Sequence, residues 1–265
     1  MGTRTLLGKA LNRLASKVTP PAPSAPQPEA APTEPAEPRP APAAAVEPAE
    51  TPIPMPVLKP EHVVGARLFA DREQMISWLP VPEGAVIAEV GVARGDFSEI
   101  MLKHLQPKQF VAFDLFDMHE YPIFWGIPSE VLFEGLTHHD FYRKRFSDRS
   151  SLVTLEVGPS HEGMARYDDG TFDLIYIDAG HDYESVRRDA VVARAKLKDD
   201  GVLVFNDYIM YDHLIGTPYG IIQVVNDIVV NDGWHVVGFA LQKDMFCDIA
   251  IQAAPLAADS ADAGD

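Results

Sequence analysis

From Ala85 to Asp207 the chain repeats one pattern: a short apolar run closed by Gly, Asp or Asn, followed by a stretch of different rhythm. The runs are AVIAEVG (85–91), QFVAFD (109–114), SLVTLEVG (151–158), FDLIYID (172–178) and GVLVFND (201–207). Between them, DFSEIMLKHL (96–105) and YESVRRDAVVARAKL (183–197) have helical spacing. Strands alternating with helices are the signature of a parallel sheet covered by helices, and few other folds accept the pattern. In such sheets ligands bind outside the carboxyl ends of the strands, so the residues that close the runs are the first candidates for function.

The ends of the repeat extend this reading. ARLFADREQMISWL (66–79) reads as an opening helix stopped by Pro80 and Pro82, and YGIIQVVNDIVVND (219–232) as a helix ending before Gly233. WHVVGFAL and DMFCDIAI then read as two strands joined by the short connection LQKD, most simply an antiparallel hairpin. Asp182 is a plausible N-cap for the helix after FDLIYID, and DDG (199–201) a stop signal. The expected fold is a Rossmann-like, doubly wound α/β domain whose mostly parallel sheet ends in an antiparallel strand pair.

The amino-terminal region is of another kind. Of 23 prolines, 15 lie between Pro20 and Pro60, interleaved with Ala and Glu. Such a segment has almost nothing to bury and is expected to be disordered and extended. Residues 1–18 place Leu7, Leu11, Leu14 and Val18 at helical spacing beside Arg4, Lys9, Arg13 and Lys17. This short basic amphipathic helix suits docking on an anionic membrane surface or a partner; a targeting peptide or a tail without a role are the alternatives. The expected division is residues 1–19, a linker 20–60, a folded domain 61–253 and a disordered polar tail 254–265.

Charge and cysteine narrow the chemistry. The net charge of −17 is concentrated after residue 60, where acids outnumber bases by 18, so nucleic acid is a poor candidate partner. Cys247 is the only cysteine, which excludes a disulfide framework and a cysteine-rich zinc site; it reads as packing. No apolar run approaches the ~20 residues of a membrane span. No signal-like stretch opens the chain, and Leu6 argues against myristoylation of Gly2. A cytoplasmic protein, peripheral at a membrane if residues 1–18 dock there, is the expectation.

In AEVGVARGDF, Glu89, Gly91 and Gly95 fall at a strand-to-helix turn, where glycine lets backbone approach a ligand and a helix N-terminus offers amides to an anionic group. The spacing is not the Gly-x-Gly-x-x-Gly of dinucleotide sites, which counts against a nicotinamide oxidoreductase. Asp114, 23 residues past Gly91, closes the next strand, where an acid can hold both hydroxyls of a ribose. Asp178, Asn206 and Asp207 bring oxygen donors to neighbouring strand ends, suited to a hard divalent cation, with His181 one turn from Asp178 as a base. For Asp178 a mere helix cap is the bland alternative, and for His181 a structural or cofactor-contacting role.

At these residues the chain resembles the class I S-adenosylmethionine-dependent methyltransferases, over about Leu68 to Ile251. The motifs that carry this are AEVGVARGDFS, FVAFDLF, LEVGPS, FDLIYIDAGHDYESVRRD, LKDDGVLVFNDY and YGIIQVVND. Within that superfamily it is similar to the macrocin-type sugar O-methyltransferases. The resemblance implies Gly91 and Gly95 near the methionine end of the cofactor, Asp114 on its ribose and Ser160 near its adenine. It further implies Mg²⁺ held by Asp178, Asn206 and Asp207, with His181 as general base. Asn206 departs from the acid or histidine of such relatives, which weakens the metal expectation without removing it.

The acceptor implied is a sugar or polyol hydroxyl. The aromatic stretch 115–150, with Tyr121, Phe124, Trp125 and His138, is either an acceptor lid or a subunit contact of a homo-oligomer. A non-catalytic binding module on a Pro-rich tether is the rival from another class.

Overall fold

The computed structural model describes residues 55–253. The amphipathic segment 1–19, most of the linker 20–60 and the tail 254–265 lie outside the described residues.

Eight strands form the main sheet. They are β1 (Arg67–Phe69), β2 (Val86–Val90), β3 (Gln109–Asp114), β4 (Val153–Val157), β5 (Phe172–Ile177), β6 (Leu197–Phe205), β7 (Trp234–Ala240) and β8 (Asp248–Ala253). Their spatial order is β1-β7-β8-β6-β5-β2-β3-β4. Every neighbouring pair is parallel except those made by β8, which runs antiparallel between β6 and β7. The central strands are apolar on both faces, as a sheet covered on both sides requires. The antiparallel ending predicted from the sequence is present, with β8 inserted so that β7 lies outside it.

Alternating side chains feed two cores. On one face Ala88, Val90, Val111, Ile175, Ile177, Leu203 and Phe205 meet the helices Ser160–Met164 (α4), Tyr183–Lys196 (α5) and Ile221–Asn231 (α6). On the other Ile87, Phe110, Ala112, Leu174, Tyr176 and Val204 meet Arg72–Trp78 (α1), Asp96–Leu105 (α2) and the aromatic face of His138–Arg145 (α3). In α5 the buried positions Val186, Asp189, Ala190 and Ala193 give the 3–4 spacing of an amphipathic helix. Asp182 caps it as expected, accepting from the Ser185 amide at 3.0 Å.

Two local expectations are corrected. Residues 66–79 are not one helix: Arg67–Phe69 pairs in parallel with Gly238–Ala240, and α1 starts only after Asp71, whose carboxylate accepts from the Gln74 amide. Edge pairing to a strand 170 residues away outweighs local helical spacing, which the window alone does not show. The DDG segment does not end an element either. It lies within β6, in a bulge where the β5 register jumps between Phe172 and Leu174, with Asp199 and Asp200 turned to solvent.

Candidate functional site

The parallel ladder continues one residue beyond several strands and sets the floor of the site. The Gly91 amide donates to Phe113 O (2.8 Å), Asp178 to Val90 O (2.7 Å), Asn206 to Ile177 O (2.9 Å) and Gly158 to Asp114 O (3.0 Å). Gly91, Asp114, Asp178 and Asn206 therefore stand in a row along the carboxyl edge of β2, β3, β5 and β6.

The turn after β2 has left-handed residues at Gly91 (φ 82°), Ala93 (φ 44°) and Gly95 (φ 77°). Alternating handedness of this kind turns amides into a shallow anion-binding concavity. Asp114 braces it, one carboxylate oxygen accepting from Val92 N (2.8 Å) and the other from Phe116 N (2.7 Å). A carboxylate has further lone pairs, so Asp114 keeps acceptor capacity for ligand hydroxyls. Gly91 lies so close to β5 that a Cβ would overlap the Asp178 carbonyl, and a Cβ on Gly95 would reach 2.8 Å from the Tyr142 ring.

Glu89 and Ser160 are engaged elsewhere. Glu89 is buried and accepts from Ser98 Oγ, which in turn accepts from the Tyr142 hydroxyl at 2.9 Å. Burial pushes the Glu89 carboxyl well above its usual range, against the Ser98 hydrogen bond, which favours the charged form. Ser160 donates to Asp189 of α5 at 2.5 Å, fixing the start of α4 to that helix.

Asp178, His181 and Asp207 come together. His181 Nε2 lies 3.8 Å from Asp178 Oδ1 and 3.5 Å from Asp207 Oδ2, too long for hydrogen bonds, and it is buried without a hydrogen-bond partner. Burial works against the charged imidazole, but the Asp178, Asp207 and Asp212 carboxylates outweigh it and hold His181 above its ordinary value. Asp207 sits at φ 54° and is pushed up to about 6 by burial and by Asp178. Asn206 is buried, its amide nitrogen donating to Asp248 at 2.9 Å.

Three residues of this edge escape sequence reasoning. Arg72 reaches Tyr176 OH (3.1 Å) and Asp178 Oδ2 (3.6 Å) and lies 4.2 Å over the Phe97 ring. Asp248, fully buried, accepts from Tyr176 OH (2.6 Å), Asn206 and Gln242, and burial pushes it up to about 7. Tyr219 stacks on His181 (4.4 Å, 10°) and its hydroxyl donates to Asp212 at 2.8 Å. Each faces the site from an element far away in the chain, and only the acid at 248 inside an apolar strand was a visible oddity.

The insert between β3 and β4 has two parts. Tyr121, Ile123 and Trp125 stand exposed around a two-strand hairpin, Ile123–Phe124 with Ile127–Pro128. His138, grouped in the sequence with the pocket-shaping aromatics, is instead fully buried: Nε2–H donates to Ala93 O at 2.6 Å, with Phe133 stacked on the ring. Cys247 is buried packing, as expected.

Among the described residues, no group of three or more His, Cys, Asp or Glu side chains is arranged to hold a metal ion. No described helix is long and apolar enough to cross a membrane.

A family model described as a methyltransferase domain matches residues 88–208, from mid-β2 to just past β6. The span holds the Gly91 turn, Asp114, Asp178, His181, Asn206 and Asp207. The match over that span supports an S-adenosylmethionine-dependent methyltransferase. A protein from Klebsiella pneumoniae described as an O-methyltransferase has a similar fold: TM-score 0.51, 13% identity, 69% of this chain and 80% of that one covered. A protein from Corynebacterium glutamicum gives TM-score 0.50 at 14% identity, covering 69% and 80%. No curated protein matches the sequence.

Proposed function

We propose that the protein methylates a hydroxyl of a neutral acceptor, a sugar or another polyol, with His181 as the base. The carrying observation is the buried, unpartnered Nε2 of His181, held between Asp178 and Asp207 on the same strand edge as the Gly91 turn. S-adenosylmethionine, when bound, supplies an electrophilic methyl group that a deprotonated oxygen can take up. The Gly91–Gly95 turn would receive its methionine end and Asp114 its ribose hydroxyls. Neutral His181 accepts the acceptor's proton on Nε2, and the two flanking carboxylates stabilise the imidazolium that results. Tyr219 keeps the ring plane fixed by stacking, and the Gly220 amide donates to the His181 carbonyl at 2.7 Å. Because His181 is held above its ordinary value, its base form accumulates as pH rises, and turnover should rise with it.

A neutral acceptor follows from charge. Asp114, Asp178, Asp207 and Asp212 surround the site against Arg72 and His181, so an anionic acceptor would be repelled. Mg²⁺ belongs to the reading as an assistant: Asp178, Asp207 and the carbonyl oxygen of Asn206 are hard donors of the type it takes. The raised Asp207 marks a carboxylate short of positive charge. Mg²⁺ would lower the pKa of a bound hydroxyl, sharing the work with His181.

The test is transfer of a labelled methyl group from S-adenosylmethionine to a panel of neutral sugars, glycosides and polyols, with and without Mg²⁺, by wild type and His181→Ala. Labelled product from wild type and its loss in the variant are expected. Transfer only to anionic or nitrogen acceptors, or full activity of His181→Ala, would remove the reading.

A further inference from the structure

The helix α3 touches the cofactor turn at one residue after another. His138 Nε2–H donates to the Ala93 carbonyl at 2.6 Å. Arg145 Nη1 donates to the Arg94 carbonyl at 2.7 Å, while the Arg94 guanidinium lies 5.2 Å over the Phe141 ring. Gly95 faces Tyr142 and Phe146 so closely that a Cβ there would overlap both rings. Arg145 also binds Asp96 (2.7 Å) and Glu99 (2.6 Å), and the Tyr142 hydroxyl donates to Ser98. From 93 to 99, only Phe97 is without such a tie.

These contacts fall where the backbone needs support. Ala93 is held at φ 44°, a left-handed conformation that a residue with a Cβ adopts at a cost of ~1–2 kcal/mol. Such conformations persist only when the surroundings over-determine them. Here that restraint comes from His138, whose ring is fully buried, stacked on Phe133 and tilted against Phe116 at 4.9 Å. Phe116 N is in turn tied to Asp114, the acid that also braces Val92. Burial holds the imidazole below its ordinary value, which keeps it neutral with its one proton on the nitrogen that meets a carbonyl.

We infer that α3 of the insert is the backing of the cofactor turn, and that His138 and Arg145 are positioning residues for S-adenosylmethionine although neither faces the ligand. The insert is then divided in function. Its second half belongs to the methyl-donor site, and only the exposed hairpin around Trp125 remains free to meet an acceptor. This rests on the methyltransferase reading for the identity of the ligand, but the clasp itself is independent of the acceptor and of any metal.

Calorimetric titration of S-adenosylmethionine into the full chain tests it, comparing wild type with His138→Phe, His138→Gln and Arg145→Met. His138→Phe keeps the ring and loses the donor, and should weaken binding about fivefold to tenfold, the worth of one buried hydrogen bond. His138→Gln returns an N–H near the Nε2 position and should recover most of the affinity. Arg145→Met, near the surface, should weaken binding without touching the core. Hydrogen exchange of amides 93–96 in the cofactor-free protein should be faster in His138→Phe, with far-ultraviolet circular dichroism unchanged. Wild-type affinity in both His138→Phe and Arg145→Met would overturn the inference while leaving the methyltransferase intact. No binding by wild type would instead strike the cofactor reading, and the exchange experiment would still judge the clasp.

Discussion

Gly91→Ala should be the most damaging small substitution at the strand edge, and its cost can be built from two parts. The first is conformational: φ is 82°, and an alanine there costs ~1–2 kcal/mol. The second is steric: the new Cβ would overlap the Asp178 carbonyl oxygen and lie 2.6 Å from its carbon, where ordinary contact begins at 3.4 Å. Neither neighbour is a flexible side chain. To make room, β2 and β5 must separate where the Asp178 amide meets Val90 O, and overpacking of this kind costs ~1–3 kcal/mol. The sum is ~2–5 kcal/mol, or roughly 4–20 °C in Tm for a domain of this size. Gly170→Ala is the control, since Gly170 has φ 68° but nothing within 4 Å of a Cβ, and should lose only ~1–2 kcal/mol. Urea unfolding of both variants beside wild type gives the comparison. Equal losses in the two would refute the argument that β5 backbone, rather than φ alone, dictates glycine at 91.

Other expectations follow from the buried polar groups. Glu89→Gln should stay closer to wild type than Glu89→Ala in urea unfolding, because burial favours the uncharged carboxyl that the amide resembles, whereas Glu89→Ala should lose ~2–3 kcal/mol by stranding Ser98 in a cavity. Asp248 is raised from 3.8 to about 7 on folding, so the native state holds a proton that the unfolded chain releases between those values. Stability should therefore fall as pH rises from about 4 to 7, with a slope of up to ~1.4 kcal/mol per pH unit from this group. Asp248→Asn should flatten that decline in unfolding measured across the range. Asp182→Ala should cost ~1 kcal/mol through the lost cap of α5. Its folded-state value is lowered by the Ser185 contacts, so this loss should shrink as pH drops through the carboxylate range.

The sheet was legible because its strands are apolar on both faces and each ends in a residue that cannot continue the run. The same residues lie at the carboxyl edge of the sheet, which is why Asp178, His181, Asn206 and Asp207 could be placed in one neighbourhood from spacing alone. What local pattern could not show were choices made by distant partners. Arg67–Phe69 becomes a strand because Gly238–Ala240 offers an edge, and the DDG signal is absorbed as a bulge because β5 holds the strand on either side. His138 looked like an aromatic-pocket residue by its neighbours in sequence; its true partner is a carbonyl 45 residues away. Arg72 and Tyr219 were invisible for the same reason, and Asp248 showed only as an acid inside an apolar strand, since a polar residue that positions another does so across elements.

The central claim is that the row from Gly91 to Asp114 receives S-adenosylmethionine. Equilibrium dialysis of the full chain against radiolabelled S-adenosylmethionine, beside Asp114→Ala, tests it most directly. The account predicts one cofactor per chain for wild type and binding abolished or greatly weakened in the variant, whose turn loses both its brace and its ribose acceptor. Absence of binding by folded wild type, or undiminished binding by Asp114→Ala, would contradict it.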